Sequence, residues 1–256
     1  MISLFCCRLI CGAAMCWALM PRQLVTAGFF RIQHLVVLGL SVLATMTLSA
    51  GYGPEAETLI PSGVTRGVLI TIAVVAYVGS VIWTLGRRRL GLGSILLILG
   101  LSCLAVLGSQ PLFTTSAELT RTLVVVSEFT SAWLIGTAVT GMLLGHWYLT
   151  ATSMSLTPLI RLNQFFLSAS VLRAVVVGVG LATCPSSLSD TTHLIWLLLR
   201  WLSGILGPFV MSLLIWRILK YRNTQSATGV WFAGVILVFM GEMAATLLSN
   251  EVGYPL

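Results

Sequence analysis

The chain is dominated by apolar runs of membrane length, which are separated by short connectors. From Met20 onward each run is close to the ~20 residues that a helix needs to cross ~30 Å of hydrocarbon. Polar and apolar residues do not alternate within the runs as they do in barrel strands. We therefore predict an all-α polytopic transmembrane helix bundle of seven spans, forming a single domain over residues 21–256. The spans are expected at about 26–50, 67–86, 91–110, 121–146, 161–182, 192–219 and 228–249.

The composition supports a membrane protein without a large water-exposed domain. Hydrophobic residues make up 57% of the 256 residues and charged residues only 8%, whereas soluble domains carry about 25% charged residues. The net charge of +7 comes from short loops, which is a feature of membrane topology and not of a nucleic-acid-binding surface. The expected partners are the lipid bilayer and other membrane subunits, with no nucleic acid.

Residues 2–20 form a further apolar segment, which has Arg8 near its middle. A signal peptide would have a basic start and a small-residue cleavage site, and neither is clear here. The segment is expected to be an extra membrane helix, a helix lying in the membrane interface, or an upstream extension with translation starting at Met20. If it crosses the membrane, the number of spans becomes eight.

The distribution of basic residues predicts the orientation, because cytoplasmic loops carry an excess of Lys and Arg. One set of alternate connectors holds nine basic residues and the other set holds two, Arg66 and Arg121. The first set is Arg22, Arg31, Arg87, Arg88, Arg89, Arg161, Arg217, Lys220 and Arg222. We expect a multi-pass protein of the bacterial cytoplasmic membrane, with the side of Arg22 in the cytoplasm and the C-terminus outside.

Four charged residues lie deep inside the last four predicted spans, where charge is costly and marks functional or paired groups. Counting 1.5 Å per residue from the outer ends of the fourth to seventh spans places all four in one layer, about 10 Å deep or slightly more. They are Glu128, Arg173, Arg200 and Glu242. This intramembrane charge cluster predicts either a proton or anion path or a buried ion-pair network that determines helix register.

Two of the three histidines are expected near the cytoplasmic ends of their spans. His34 lies in the first span and His146 ends the fourth, whereas His193 opens the sixth span on the opposite side. Two imidazoles on different helices are the ligands of a bis-histidine b-type haem. His34 and His146 are therefore candidate cofactor ligands, although the cofactor is unknown and His146 also fits an aromatic belt beside Trp147.

Glycine and proline mark two further features of the spans. Gly141 and Gly145 form a small-residue motif of the kind that packs membrane helices together. Gly207 and Pro208 lie in the long sixth span, where proline removes a backbone hydrogen bond and kinks a helix. We interpret Gly207 and Pro208 as a candidate hinge.

The sequence contains no motif of a metal site or of a catalytic centre. Four of the six cysteines lie in the first sixteen residues without a C-x-x-C pair, and we interpret them as small apolar residues in a hydrophobic segment. No phosphate-binding loop, nucleophile elbow or H-E-x-x-H helix is present. We assign no catalytic and no metal-binding residues, and enzymatic activity is the least favoured class.

Three functions remain open on these observations. The first is an integral membrane subunit of a larger complex, in its sharper form a respiratory or electron-transfer subunit with a b-type haem at His34 and His146. The alternative is a small ion or solute transporter or channel that uses the intramembrane charge cluster. The last is an intramembrane enzyme acting on lipid or quinone, with His146 or Glu128 as base.

Overall fold

A computed structural model describes residues 1–48, 60–109, 118–151, 154–183 and 191–252. In the range 118–151, side chains are described from residue 122 onward. Within these ranges the chain is helical and contains no strand. Eight of the described helices are long and apolar enough to cross a membrane. The predicted all-α polytopic helix bundle is therefore confirmed, and the N-terminal segment forms one of these eight helices.

The chain divides into two compact units, Met1–Leu112 and Phe113–Leu256. Unit 1 and unit 2, as we call them, are described separately, and the prediction of a single domain over residues 21–256 stays a prediction. The helices of unit 1 are α1 (Ile2–Leu19), α2 (Ala27–Thr47), α3 (Ser62–Thr84) and α4 (Arg88–Gly108), with a 3₁₀ turn at Arg22–Leu24.

Helix α1 is an integral part of unit 1, where it packs against α2 and α4. Most of its residues are buried, including all four of its cysteines. The thiol of Cys7 lies 3.6 Å from the Ser109 hydroxyl, and the thiols of Cys11 and Cys103 lie 3.7 Å apart. These thiols fill space between helices, as free cysteines commonly do.

Unit 2 contains four spans, one of which is interrupted. Its helices are α5 (Glu118–Thr150), α6 (Thr157–Thr183), α7 (Thr191–Trp201), α8 (Gly207–Lys220) and α9 (Thr224–Val252). A π-helical turn, Leu202–Leu206, joins α7 to α8 so that Thr191–Lys220 forms one span. Helix α9 packs against α5, α7, the π turn and α8, so a side chain on α9 can reach several other helices.

Two glycines of α5 allow it to lie close to α9. A Cβ atom at Gly141 would overlap the indole ring of Trp231, and one at Gly145 would lie 2.8 Å from the Thr228 hydroxyl. Such contacts require glycine, because any larger residue would push the two helices apart. The predicted packing motif is confirmed as a contact within unit 2.

The π turn follows from the local sequence of the long span. Pro208 has no N–H group and cannot make the normal hydrogen bond to the preceding turn. Extra residues in a π turn are a common way to accommodate such a break. Gly204 within the turn lies against Gly241 of α9, and a Cβ atom on Gly204 would be only 2.9 Å from the Gly241 Cα atom. The two backbones are in direct contact at this point.

Candidate functional site

The centre of the candidate site is the carboxylate of Glu242 on α9, which is 1% exposed. Arg173 of α6 binds it with two hydrogen bonds, from Nε to Oε1 at 3.1 Å and from Nη2 to Oε2 at 3.2 Å. Arg200 of α7 donates from Nη1 to Oε1 at 2.7 Å, and Ser131 of α5 donates its hydroxyl to Oε2. One carboxylate therefore joins all four spans of unit 2.

Arg173 uses the remaining edge of its guanidinium group to bind α5. Its Nη1 atom donates to the Ser127 hydroxyl at 2.7 Å, to the Ser127 carbonyl at 3.0 Å and to Thr130 Oγ1 at 3.4 Å. Arginine suits this position because its planar fork can bind a carboxylate with one edge and other acceptors with another. Arg173 thus positions Glu242 relative to α5.

Arg200 reaches Glu242 because the backbones of α9 and the π turn touch. Gly241 precedes Glu242, and its carbonyl accepts a second hydrogen bond from Arg200 Nη1 at 3.3 Å. The contact between Gly204 and Gly241 holds the two elements at this separation. The glycine pair is therefore what permits the short ion pair.

Glu128 is the second buried carboxylate of this region, at 5% exposure. On α5 it lies between Ser127 and Ser131, which bind Arg173 and Glu242 respectively. Arg173, Arg200 and Glu242 together carry one excess positive charge. The carboxylate of Glu128, which lies within one helical turn of Ser127 and Ser131, offsets that charge. A balanced set of charges is what a low-dielectric interior favours, since burying net charge costs several kcal/mol.

The structure brings three members of the predicted charge cluster into direct contact and buries the fourth beside their partners. We call Glu128, Arg173, Arg200 and Glu242, with Ser127 and Ser131, the charge network. The two serines and the Gly204–Gly241 contact were not predicted from the sequence. The spacing of the serines around Glu128, at one residue before and three after, is the signal that could have identified them.

The candidate hinge lies two turns beyond Arg200. Gly207 begins α8 and Pro208 occupies its first turn, directly after the π turn. A π turn inside a span is a local irregularity that is often found at functional sites. Movement at Gly207 and Pro208 stays a prediction, and the π turn provides a structural basis for it.

His34, one of the two candidate haem ligands, is completely buried in unit 1. Its Nδ1 atom lies 2.8 Å from the Phe30 carbonyl oxygen, and its Nε2 atom lies 3.0 Å from the Ser94 hydroxyl. The ring stacks on Trp17 with 5.7 Å between the centroids. Ligation of iron by Nε2 would require the hydrogen bond to Ser94 to be replaced.

His146, the other candidate, is exposed near the end of α5 in unit 2. Because the two histidines belong to different units, their pairing around a haem stays a prediction. The haem hypothesis predicts a b-type reduced-minus-oxidised spectrum for the purified protein, and that spectrum should be lost in both His34→Ala and His146→Ala. A colourless wild-type protein would exclude the cofactor, and His193→Ala is the matched control.

Comparison of the chain with protein-family models, with curated proteins and with solved structures found no match. The geometry of the charge network is the basis for a functional proposal. Its chemistry is that of a carboxylate held by two guanidinium groups and a hydroxyl, away from water, at the junction of four membrane-spanning helices.

Proposed function

We propose that the protein is a small membrane carrier that moves an anion bearing a carboxylate together with a proton. The observation that supports this most strongly is the binding of Glu242 by Arg173 and Arg200 from two other helices. These two arginines provide the donor arrangement that protein sites use to bind carboxylates. A substrate carboxylate can therefore occupy the position that the Glu242 side chain holds in the resting state.

Transport of a proton together with the anion follows from the charge balance of the network. When Glu242 takes up a proton, it no longer neutralises Arg173 and Arg200, and the network gains one positive charge. A substrate anion then restores the original net charge. Because a buried layer tolerates net charge poorly, binding of the proton and of the anion should favour each other, which gives transport of both in the same direction.

The break in the span Thr191–Lys220 supports a conformational change near this site. Carriers commonly bind substrate at discontinuous helices near the middle of the membrane, where one part of the bundle moves against another. The π turn and Pro208 lie in the same span as Arg200. Movement at Gly207 and Pro208 would shift Arg200 relative to Glu242 and so open the network.

The proposal predicts that Arg173→Lys will lower transport about tenfold or more while the protein stays folded. Lysine keeps the charge but lacks the fork that makes two hydrogen bonds to one carboxylate. The assay uses purified protein in liposomes with a pH gradient, and measures uptake of radiolabelled succinate and the accompanying pH change inside. Protein-free liposomes provide the background.

Arg161→Lys is the matched control, because Arg161 lies exposed on the same helix and the same substitution there should leave uptake unchanged. Equal uptake by Arg173→Lys and wild type would contradict the proposal, as would wild-type uptake no faster than background across a panel of mono- and dicarboxylates. If Arg173→Lys does not fold, Glu128→Gln tests the same network with a neutral side chain of equal size.

The orientation and the membrane are part of the proposal. The excess of basic residues in alternate connectors supports a cytoplasmic location for Arg22 and an external C-terminus in a bacterial cytoplasmic membrane. A crossing α1 would then begin outside. The role of a subunit in a larger membrane complex, with other membrane proteins as partners, stays a prediction, and co-purification in mild detergent tests it.

A further inference from the structure

Two thiols from distant parts of the chain meet in unit 1. The Sγ atoms of Cys11 on α1 and Cys103 on α4 lie 3.7 Å apart, although 92 residues separate them in the sequence. A second contact joins the same two helices, 3.6 Å between the Cys7 thiol and the hydroxyl of Ser109, which directly follows α4. Cys7 precedes Cys11 by four residues, about 6 Å along the helix. Two contacts one turn apart determine the register of α1 against α4, so the thiol pair follows from how these helices pack.

The separation of the two sulfur atoms suits the formation of a disulfide bond. Both cysteines are free thiols in this structure. To form the bond, the sulfur atoms must approach each other from 3.7 Å to about 2.0 Å. Because they are already in van der Waals contact, adjustment of the two side chains supplies this approach without unfolding of either helix.

The two thiols differ in their access to the surroundings of the helix bundle. Cys11 is 0% exposed, whereas Cys103 is half-buried. Cys103 lies at the edge of an exposed stripe of α4 that includes Leu96, Gly100 and Leu104. Side chains on a helix lean over the preceding turn, and in that turn Gly100 has no side chain and open space around it. A reagent dissolved in the lipid can therefore reach Cys103, while Cys11 is shielded.

We infer that Cys103 and Cys11 form a dithiol site, which an organic hydroperoxide of the membrane phase oxidises to a disulfide joining α4 to α1. An accessible thiol beside a second, resolving thiol is the arrangement of redox-sensitive cysteine pairs. The exposed stripe beside Cys103 is apolar, with Leu96 and Leu104 each about half exposed. The oxidant that this surface meets is therefore one that dissolves in hydrocarbon, such as the hydroperoxide of an oxidised lipid.

The oxidation proceeds in two balanced steps. The Cys103 sulfur attacks the terminal oxygen of the hydroperoxide, the O–O bond breaks, and the thiol proton leaves with the other oxygen as an alcohol. Cys103 is then a sulfenic acid. The Cys11 sulfur attacks the Cys103 sulfur, the S–O bond breaks, and water leaves with the Cys11 proton. The two sulfur atoms together lose two electrons, and the hydroperoxide gains them.

The disulfide connects the N-terminal helix covalently to the rest of unit 1. It closes a loop that contains α2 and α3, since both lie between Cys11 and Cys103 in the chain. A crosslink across a long loop stabilises a fold mainly by restricting the unfolded chain. Oxidation should therefore raise the melting temperature of the purified protein by several degrees, and a thiol reductant should reverse the shift. The dithiol site is independent of the proposed transport, because it lies in unit 1 and shares no residue with the charge network.

The direct test treats the purified full chain in detergent micelles with cumene hydroperoxide, alkylates the remaining thiols and analyses unreduced tryptic peptides by mass spectrometry. Trypsin leaves Cys103 as the sole cysteine of peptide 90–121 and places Cys11 in peptide 9–22. We expect the two peptides to be joined after treatment, to separate on reduction, and to be separate in untreated protein. Alkylation of Cys103 should be lost at the same time. Absence of the joined peptide from treated wild-type protein would overturn the inference.

Two matched variants identify the partner of Cys103, because peptide 9–22 also contains Cys16. Cys16→Ala should keep the joined peptide, and Cys11→Ala should lose it. In Cys11→Ala the sulfenic acid at Cys103 has no resolving thiol, so dimedone should trap it there. A joined peptide that persists in Cys11→Ala, or that disappears in Cys16→Ala, would contradict the assigned pair. If Cys11→Ala does not fold, fragmentation of the joined wild-type peptide identifies the bonded cysteine.

Discussion

Replacing Glu242 by glutamine is expected to lower the free energy of unfolding of unit 2 by about 3–5 kcal/mol, as loss of one partner from a buried ion pair does. Glutamine has nearly the same size and shape as glutamate, so the change removes charge and little else. The guanidinium groups of Arg173 and Arg200, both almost completely buried, would then face a neutral amide in place of a carboxylate. The cost is that of burying positive charge without its counter-charge.

Reversible unfolding of the purified protein in mixed micelles, followed by tryptophan fluorescence, measures this difference. Glu251→Gln is the matched control on the same helix, because Glu251 pairs with His193 at 3.2 Å but its side chain is 51% exposed. Exposed pairs contribute about 0–1 kcal/mol, so the control should unfold almost like wild type. Equal, small effects of both substitutions would mean that the charge network does not stabilise unit 2.

The second large effect is expected from Gly241→Ala, which should destabilise unit 2 by about 3 kcal/mol, at the upper end of the range for overpacking. The new methyl group would overlap the Gly204 backbone. Backbone atoms cannot rotate away as a flexible side chain can, so α9 and the π turn must separate. That separation would also lengthen the 2.7 Å ion pair between Arg200 and Glu242, and transport should fall together with stability.

Gly229→Ala provides the control, because Gly229 lies on the same helix and a Cβ atom there meets nothing within 4 Å. Alanine is a better helix former than glycine by about 0.8–1 kcal/mol, so this substitution should stabilise the protein slightly. The same unfolding assay compares the two glycine variants. A Gly241→Ala protein as stable as wild type would contradict the role given to the backbone contact with Gly204.

The sequence was sufficient for the membrane architecture because the bilayer imposes a length on every span. The apolar runs between about 26 and 249 correspond to the helices α2 to α9 within a few residues at each end, and α1 corresponds to the apolar segment 2–20. Counting 1.5 Å per helical residue also predicted that Glu128, Arg173, Arg200 and Glu242 lie in one layer. These conclusions depend on distance along one helix.

The sequence does not reveal which charged groups touch, because contact depends on the rotation of each helix about its axis and on its neighbours. The position of each residue along its helix did not show that Arg173 and Arg200 share Glu242 as a partner. It also did not show that the Ser131 hydroxyl donates a hydrogen bond to Glu242. The π turn adds to this difficulty, since one extra residue per turn rotates everything after it by about 100°.

The backbone contact between Gly204 and Gly241 illustrates the same limit. Each glycine alone is unremarkable in an apolar span, and their importance arises from meeting across two helices that are about forty residues apart in the chain. Hydrophobic length and position along a helix are local properties, so the sequence was enough to identify a membrane-spanning helix bundle with buried charge. Helix rotation and close backbone contact are properties of the packed bundle, so the joining of four spans by one carboxylate is visible only in the three-dimensional structure.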